Sequence, residues 1–400
     1  MNGITILEGD CRETLRTLPD NSVHCCVTSP PYFGLRDYGH DGQIGLEQSP
    51  LEFIAELVKV FEEVKRVLRE DGSLWLNLGD SYAGSWGAQG KQCSVGQMAD
   101  RAVSSQRQVL AHPKFAGNTG TRGREIGLKP KDLMGIPWRV AFALQEHGWY
   151  LRQDIIWHKP NPMPESVQDR CTKAHEYLFL LTKSPRYYFD CQAISEPVSG
   201  TAHSRGSGIN PKAKVNGFKT KQNESFSGSI NGMVSDRNKR SVWTVTTKPH
   251  KGAHFATFPP DLIEPCILAG TSEHGCCSMC GTPWRRITEK TRKATRPGNK
   301  TKIGRVSDDA GSLYETHSGM VVGNRDPQRH CTVTTTIGWE AGCNCENAEV
   351  VPCVVLDPFN GSGTTGQVAR DNGCHYIGCE LNPEYIALTN KRLQQGSLLV

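Results

Sequence analysis

Residues 354–366, VVLDPFNGSGTTG, run from an apolar stretch into an aspartate and then into a glycine-rich turn. Val354, Val355 and Leu356 are uninterruptedly apolar, the pattern of a strand covered on both faces. Glycines let the chain turn tightly and let a ligand come close to the backbone. The residues after the turn, TTGQVARDNG, read as a helix stopped by Gly373. A second strand, CHYIGCE, ends in Glu380, and NPEYIALTNKRLQQ follows as a helix. Strands alternating with helices in this way build a parallel α/β sheet.

Gly361, Gly363 and Gly366 fit G-x-G-x-x-G, and Glu380 closes the next strand nineteen residues after Gly361. That pattern alone also fits a nicotinamide dinucleotide site. It is not a phosphate-binding Walker loop, which needs Gly-Lys-Ser/Thr. Asp357 separates the readings, because a pyrophosphate brought against the loop would meet a carboxylate. A cofactor carrying an ammonium and a sulfonium, S-adenosylmethionine, accommodates one. Asp357 near the ammonium and Glu380 on the ribose hydroxyls then form a coherent pair, with a purely structural strand–turn–helix as the alternative.

Outward from this stretch, the N-terminal residues repeat the alternation. ITIL (4–7) and VHCCVTS (23–29) read as strands, with CRETLRTLP (11–19) helical between them. Ser49, Pro50 and Glu52 have the pattern of a capped helix start with a capping box. Leu51, Ile54, Leu57, Val58, Phe61, Val64 and Leu68 form one apolar face, ended by Asp71-Gly72, and SLWLNLGD (73–80) is the next strand. Residues 83–130 read as an exposed insertion. DLMGIPWRVAFALQEHG (132–148) reads as a helix, WYLRQDIIWHK (149–159) and HEYLFLLTKS (175–184) as strands, and 259–269 as a helix. The fold expected is a doubly wound, mostly parallel α/β sheet.

At the end of the strand VHCCVTS stands TSPPYFGLRDYG (28–39), two prolines between a serine and a tyrosine. Each proline fixes its own φ and pushes the preceding residue toward an extended conformation. Ser29 to Tyr32 should therefore form a rigid rim with free carbonyls. As residues alone, the same stretch also fits an abrupt loop.

The chain of 400 residues is 37% hydrophobic, enough for a sizeable core. MNGITILEGD lacks a basic leader and no window approaches a membrane span, so a cytoplasmic protein with no membrane partner is expected. The net charge of +5 hides two basic segments, +7 over 195–251 and +8 over 284–305, on an otherwise acidic chain. Such segments fit a polyanionic partner, or solvated loops. Sixteen cysteines in a cytoplasmic chain point to thiols or metal ligands rather than disulfides. Cys277-x-x-Cys280 and Cys343-x-Cys345 read as a four-cysteine zinc site, with Cys276, His330 and Cys331 as substitute ligands. Reduced structural cysteines are the alternative.

TSPPY and DPFNGSGTTG together resemble the signatures of the amino-group DNA methyltransferases. Their order, with P-P-Y early and the cofactor loop late, resembles the permuted β group of that family. VLREDGSLWLNLGDS, GWYLRQDIIWHKPNP, HEYLFLLTKSPRYYF, HFATFPPDLIEPCI and YIGCELNPEYIALTNKRL are similar to other segments of the family. The resemblance covers roughly 1–82, 131–195, 250–270 and 350–395. It implies a circularly permuted Rossmann-like, S-adenosylmethionine-dependent fold with double-stranded DNA as partner, of the restriction–modification kind. It implies Ser29, Pro30, Pro31 and Tyr32 as the catalytic rim. It implies a cofactor site of Asp10, Phe258, Pro259, Asp357, Phe359, Gly361, Gly363, Thr364, Glu380 and Asn382.

An initial serine leans toward the cytosine N4 amino group, an initial aspartate toward adenine N6. Methylation of RNA or of a protein glutamine, or a decayed zinc-containing DNA-binding core, are the competing readings. The division expected is 1–195 for the catalytic half, 196–251 for target recognition and 252–273 for the cofactor pocket. A zinc-binding insertion at 274–346 and the cofactor-binding half at 347–400 complete it.

Overall fold

A computed structural model describes residues 3–35, 37–40, 42–83, 126–198, 233–247, 258–294, 330–347 and 349–395. Eight strands share one sheet: β1 (Ile4–Glu8), β2 (Val23–Thr28), β3 (Leu68–Leu78), β4 (Tyr150–His158), β5 (His175–Thr182), β6 (Val242–Thr244), β7 (Val354–Asp357) and β8 (His375–Glu380). Their order is β1-β8-β7-β2-β3-β5-β4-β6. Neighbours from β1 to β3 run parallel, β5 is antiparallel to β3 and β4, and β6 is parallel to β4. The sheet is mostly parallel, as expected, and two of its adjacent inner strands, β7 and β2, come from opposite ends of the chain.

The strands alternate between two cores, as a period of two requires. Cys26, Leu74, Leu76, Phe179, Leu181 and Leu356 pack on one face, with helices α2 (Pro50–Val67) and α3 (Ile136–Glu146). Cys25, Val27, Trp75, Leu178, Leu180 and Val355 pack on the other, with α4 (Pro260–Gly270) and α5 (Thr364–Asp371). Burying side chains of this size contributes about 1.5–3 kcal/mol each. The short α1 (Cys11–Thr14) follows β1, and α6 (Pro383–Gln395) packs against α5, β8 and β1. Among the described residues, no helix is long and apolar enough to cross a membrane.

Several boundaries differ from the sequence reading. Helix α2 ends at Val67, and Leu68 is already extended (φ −64°, ψ 140°) and paired with Val23. Leu68 therefore belongs to β3, and Asp71-Gly72 lies inside that strand, where the β2 register shifts. Ser49 accepts from Glu52 N as expected, but the Glu52 carboxylate accepts from Gln48 N, one residue before the cap. Leu51, read as part of the buried face, is exposed. Helix α3 starts at Ile136, where the Asp80 carboxylate accepts from Gly135 N and Ile136 N.

The division of the chain also differs. Met1–Ile194, Arg240–Arg285 and Trp339–Val400 form one unit; Ser195–Lys239 and Arg286–Gly338 form a second. In the second unit Arg285–Ala294, His330–Glu340 and Met233–Val234 make a three-stranded sheet, and Glu196–Pro197 pairs with Asp236–Arg237. Parts of the segments read as 196–251 and 274–346 are thus one unit. Arg240 onward returns to the large unit, because Val242–Thr244 completes its sheet and buries Trp243 with its ring centroid 6.4 Å from Trp75. Most of the 83–130 insertion, and residues 199–232, 248–257 and 295–329, lie outside the described residues.

Candidate active site

Strands β2 and β7 are neighbours in the sheet, so the residues that follow them emerge at one edge. C-terminal strand ends are where open α/β sheets bind ligands. Thr28, the last residue of β2, donates from Oγ1 to Asp357 Oδ1 at 2.6 Å. Thr365, in the first turn of α5, donates to Asp357 Oδ2 at 2.7 Å, and Phe359 N donates to Oδ1 at 3.0 Å. One carboxylate thus ties the TSPPY stretch, the glycine turn and helix α5. Asp357 is 1% exposed. Burial pushes its pKa up to about 6, against the three hydrogen bonds that favour the ionised form. These three bonds fix the loop that follows Asp357.

After Thr28 come Ser29 to Tyr32, and the Tyr32 carbonyl, expected to be free, accepts from Leu35 N at 3.2 Å. Pro30 is buried, while Ser29, Pro31 and Tyr32 are half-buried. Tyr32 donates its phenol to Glu176 Oε2 at 2.7 Å, with Asn77 Oδ1 at 3.3 Å. Asn77 in turn donates from Nδ2 to the Tyr177 carbonyl at 3.1 Å. Glu176 also pairs with Lys159, whose ammonium lies 4.1 Å from the centroid of the Trp157 ring. Burial and the negative Glu176 hold the Tyr32 phenol well above its ordinary pKa, so it stays a donor. A Cβ on Gly79 would stand 2.4 Å from the Tyr32 ring, so only glycine lets the ring lie there.

In the glycine turn Gly361 and Gly363 adopt φ of 52° and 75°, a region that disfavours other residues. Glu380 accepts from Gly361 N at 2.7 Å and from Asn382 N at 2.9 Å. Burial raises its pKa to about 7 in spite of these bonds. Each Glu380 oxygen retains acceptor capacity, since a carboxylate has about four lone-pair sites. A Cβ on Gly361 would meet only the Phe359 carbonyl, at 3.8 Å, so the space over the turn is open. A turn with open space and an acceptor pair beside it fits a ribose-bearing cofactor.

The other expected residues divide. Gly9 N donates to the Glu380 carbonyl at 2.9 Å, which brings Asp10 to the same end of the sheet as Glu380. Asp10 caps α1 through Arg12 N and receives the Arg12 guanidinium. Burial raises its pKa, but the Arg12 hydrogen bonds outweigh burial and hold it below the ordinary value. Phe359 packs against the α2 core. Phe258 packs against the α4 core, and Pro259 precedes the first turn of α4. Thr364 accepts from Arg392 at 2.8 Å, and Asn382 Oδ1 accepts from Glu384 N at the start of α6.

Sequence reasoning missed Thr28, Thr365, Asn360, Arg392, Asn77, Gly79 and Glu176. Asn360 is buried and accepts from Tyr376 while donating to Thr389, bracing the turn from beneath. Arg392 donates to the Ser362 carbonyl at 3.1 Å and braces it from α6. The available signal was the polar residue at the end of an apolar strand, present at Thr28, Asn77 and Glu176.

Far from this edge, the Sγ atoms of Cys277, Cys280, Cys343 and Cys345 all lie within 4.8 Å of one another. Cys276, read as a substitute ligand, instead sits with His24 and Cys353.

A family model described as DNA methylase, of the N6/N4 class, matches residues 23–277 and 353–391. The Type II methyltransferase M.Cfr9I of Citrobacter freundii is 40% identical over 98% of this chain and 89% of that protein. The Type II methyltransferase M.SmaI of Serratia marcescens is 35% identical over 97% and 90%. Among solved structures, the PvuII DNA methyltransferase (cytosine-N4-specific) aligns with 98% of this chain and 88% of that one, at 15% identity and a TM-score of 0.49. The family match spans the rim, the glycine turn and the strands between them, and the chain belongs to the N6/N4 DNA methylase family.

Proposed function

We propose that the protein methylates the exocyclic N4 amino group of a cytosine flipped out of double-stranded DNA, using S-adenosylmethionine. The observation that carries this reading is the Thr28–Asp357–Thr365 tie, which fixes a rigid acceptor rim beside an open glycine turn. The cofactor, when bound, supplies an electrophilic methyl group. Glu380 would accept from its ribose hydroxyls and Asp10 would lie toward its adenine. Phe258, Pro259, Phe359, Gly361, Gly363, Thr364 and Asn382 would complete the surround.

An exocyclic amino nitrogen is a poor nucleophile, because its lone pair is delocalised into the ring. The Ser29 hydroxyl and the Pro30 carbonyl accept its two hydrogens and localise the lone pair. Being preorganised, they act where electrostatic catalysis gains most. The nitrogen gains a methyl group and loses one proton to water. Tyr32, anchored by Glu176, offers its ring face to the flipped base, and such stacking contributes about 1–3 kcal/mol. Ser29 at the head of the motif favours cytosine over adenine. The DNA methylase match and the Type II names of the relatives favour DNA over RNA or protein. The basic segments favour a polyanion and fit target recognition.

Nucleoside mass spectrometry of DNA from cells expressing the protein should show N4-methylcytosine. N6-methyladenine in its place would overturn the base assignment. Ser29→Ala should lower turnover about 100-fold while leaving cofactor affinity unchanged. Near-normal turnover would remove the hydroxyl from the mechanism.

A further inference from the structure

We infer that Cys277, Cys280, Cys343 and Cys345 bind one structural zinc ion, which clasps the two ends of the inserted segment to the far side of the catalytic sheet. In a zinc tetrahedron with Zn–S bonds of about 2.3 Å the sulfurs stand about 3.8 Å apart. The four Sγ atoms, all within 4.8 Å of one another, are already gathered to nearly that scale. All are free thiols.

The local backbone is shaped for the same task. Gly281, at φ 70°, lets the chain turn back after Cys280, and its N–H donates to the Cys277 carbonyl at 2.8 Å. The Cys280 N–H points at Cys277 Sγ at 3.5 Å, the kind of donor that stabilises a thiolate. The neighbouring cluster of His24, Cys276 and Cys353 is a poorer metal site. His24 Nδ1 accepts from Val354 N at 3.0 Å and Nε2 faces the Gly281 carbonyl at 2.8 Å, so both ring nitrogens are engaged by backbone.

Those same bonds show what the clasp holds. His24 is the second residue of β2 and Val354 the first of β7, and the guanidinium of Arg69, the second residue of β3, donates to the Cys280 carbonyl at 2.6 Å. Arg69 also pairs with Asp71. Ligand-bearing turns held by such outer hydrogen bonds have their orientation fixed. The cysteine turn is thereby docked at the N-terminal ends of the three strands, opposite the edge that carries Ser29 and Asp357. Residues 281–342 lie between the cysteine pairs, and a metal clip offsets the entropy of closing so long a loop. His274 contacts both Trp284 and Trp339, with ring centroids 4.8 and 5.7 Å away, and ties the base of the segment again. The family match ends at Cys277 and resumes at 353, so Cys280, Cys343 and Cys345 lie outside it.

The test is metal analysis of the full chain purified under reducing conditions without added metal. About one zinc per chain is expected, with about a tenfold loss in Cys280→Ser and in Cys345→Ser. Because those variants can fail to fold, the wild type is also titrated with a mercurial thiol reagent while released zinc is followed by a colorimetric chelator. Zinc released in step with four thiols supports the site. Zinc-free wild-type protein, zinc retained in full by both variants, or Cys277 to Cys345 found as disulfides by non-reducing mass spectrometry would each overturn it.

Discussion

Tyr32 owes its orientation to a residue 144 positions away, Glu176, which also holds Lys159. Glu176→Gln keeps an acceptor but drops the charge that fixes Lys159 and the phenol. It should raise KM for DNA more than it alters cofactor affinity, because the phenol ring would no longer be held for the base. Tyr32→Phe should have the same signature, and an unchanged KM for DNA in Glu176→Gln would remove Glu176 from the rim. At the cofactor edge, a Glu380 pKa near 7 sets the sign of a pH effect. Protonated Glu380 is a poorer acceptor for ribose hydroxyls, so cofactor affinity should rise by about tenfold from pH 6 to pH 8 as the carboxylate ionises. Calorimetry should find that rise in the wild type and a flat, weaker profile in Glu380→Gln. The stability of the apo protein should have the opposite sign, checked by denaturant melts across about pH 4 to 8. Asp357 and Glu380 both titrate above their ordinary values of 3.8 and 4.5, so they bind more protons folded than unfolded. Their stabilising contribution is full below about pH 4 and is lost as pH rises through about 6 to 7.

At the scale of elements, the turn between β7 and α5 tolerates little change. Gly363 caps α5 in the left-handed region, and a Cβ there would stand 2.7 Å from Thr389 Cγ2 on α6. Gly363→Ala should cost about 1–3 kcal/mol from the backbone strain alone, with further loss from the clash. Adding Thr389→Ser removes Cγ2 but leaves the hydroxyl oxygen at 2.9 Å and the strain in place, so denaturant melts should show partial rescue. Full rescue would mean that the φ of Gly363 is not strained for alanine. Thr28→Val removes one donor from a buried carboxylate and should destabilise by about 1–3 kcal/mol while weakening cofactor binding. These ties show why elements were readable and the site's wiring was not. Helix α2 and the strands β2, β4, β5, β7 and β8 announced themselves by periodicity and apolar runs. The Thr28–Asp357 bond joins residues 329 positions apart, and no local pattern encodes it. Strand β6 escaped notice because Val242–Thr244 is three residues within a polar stretch. The α2–β3 boundary slipped because Leu68 extends the helix's apolar spacing while pairing with Val23.

At the scale of the whole molecule, the parallel sheet was legible because each half carried its own strand–helix signature, whereas its permutation rested on the resemblance carried by the order of TSPPY and the glycine turn. The division of the insertions was not legible, since Cys331 pairs with Met233 across segments of unlike composition. The charge of those segments makes a separate prediction. Replacing Arg285, Arg286, Arg292 and Lys293 with glutamine should flatten the log–log dependence of DNA affinity on salt, by about one for each phosphate no longer neutralised. An unchanged slope would place that segment off the DNA. The strand order β1-β8-β7-β2 has one more consequence, in the time domain of synthesis. While the ribosome builds the chain, β1 and β2 emerge first yet are joined only through β8 and β7, which arrive some three hundred residues later. The nascent protein therefore holds the proposed rim without the strand that aligns it, and pairings this distant in sequence form slowly. An interrupted translation product would carry a rim and no cofactor turn, so it could neither methylate nor complete its sheet. Activity is in this way withheld until the chain has been read through the turn at 357–366.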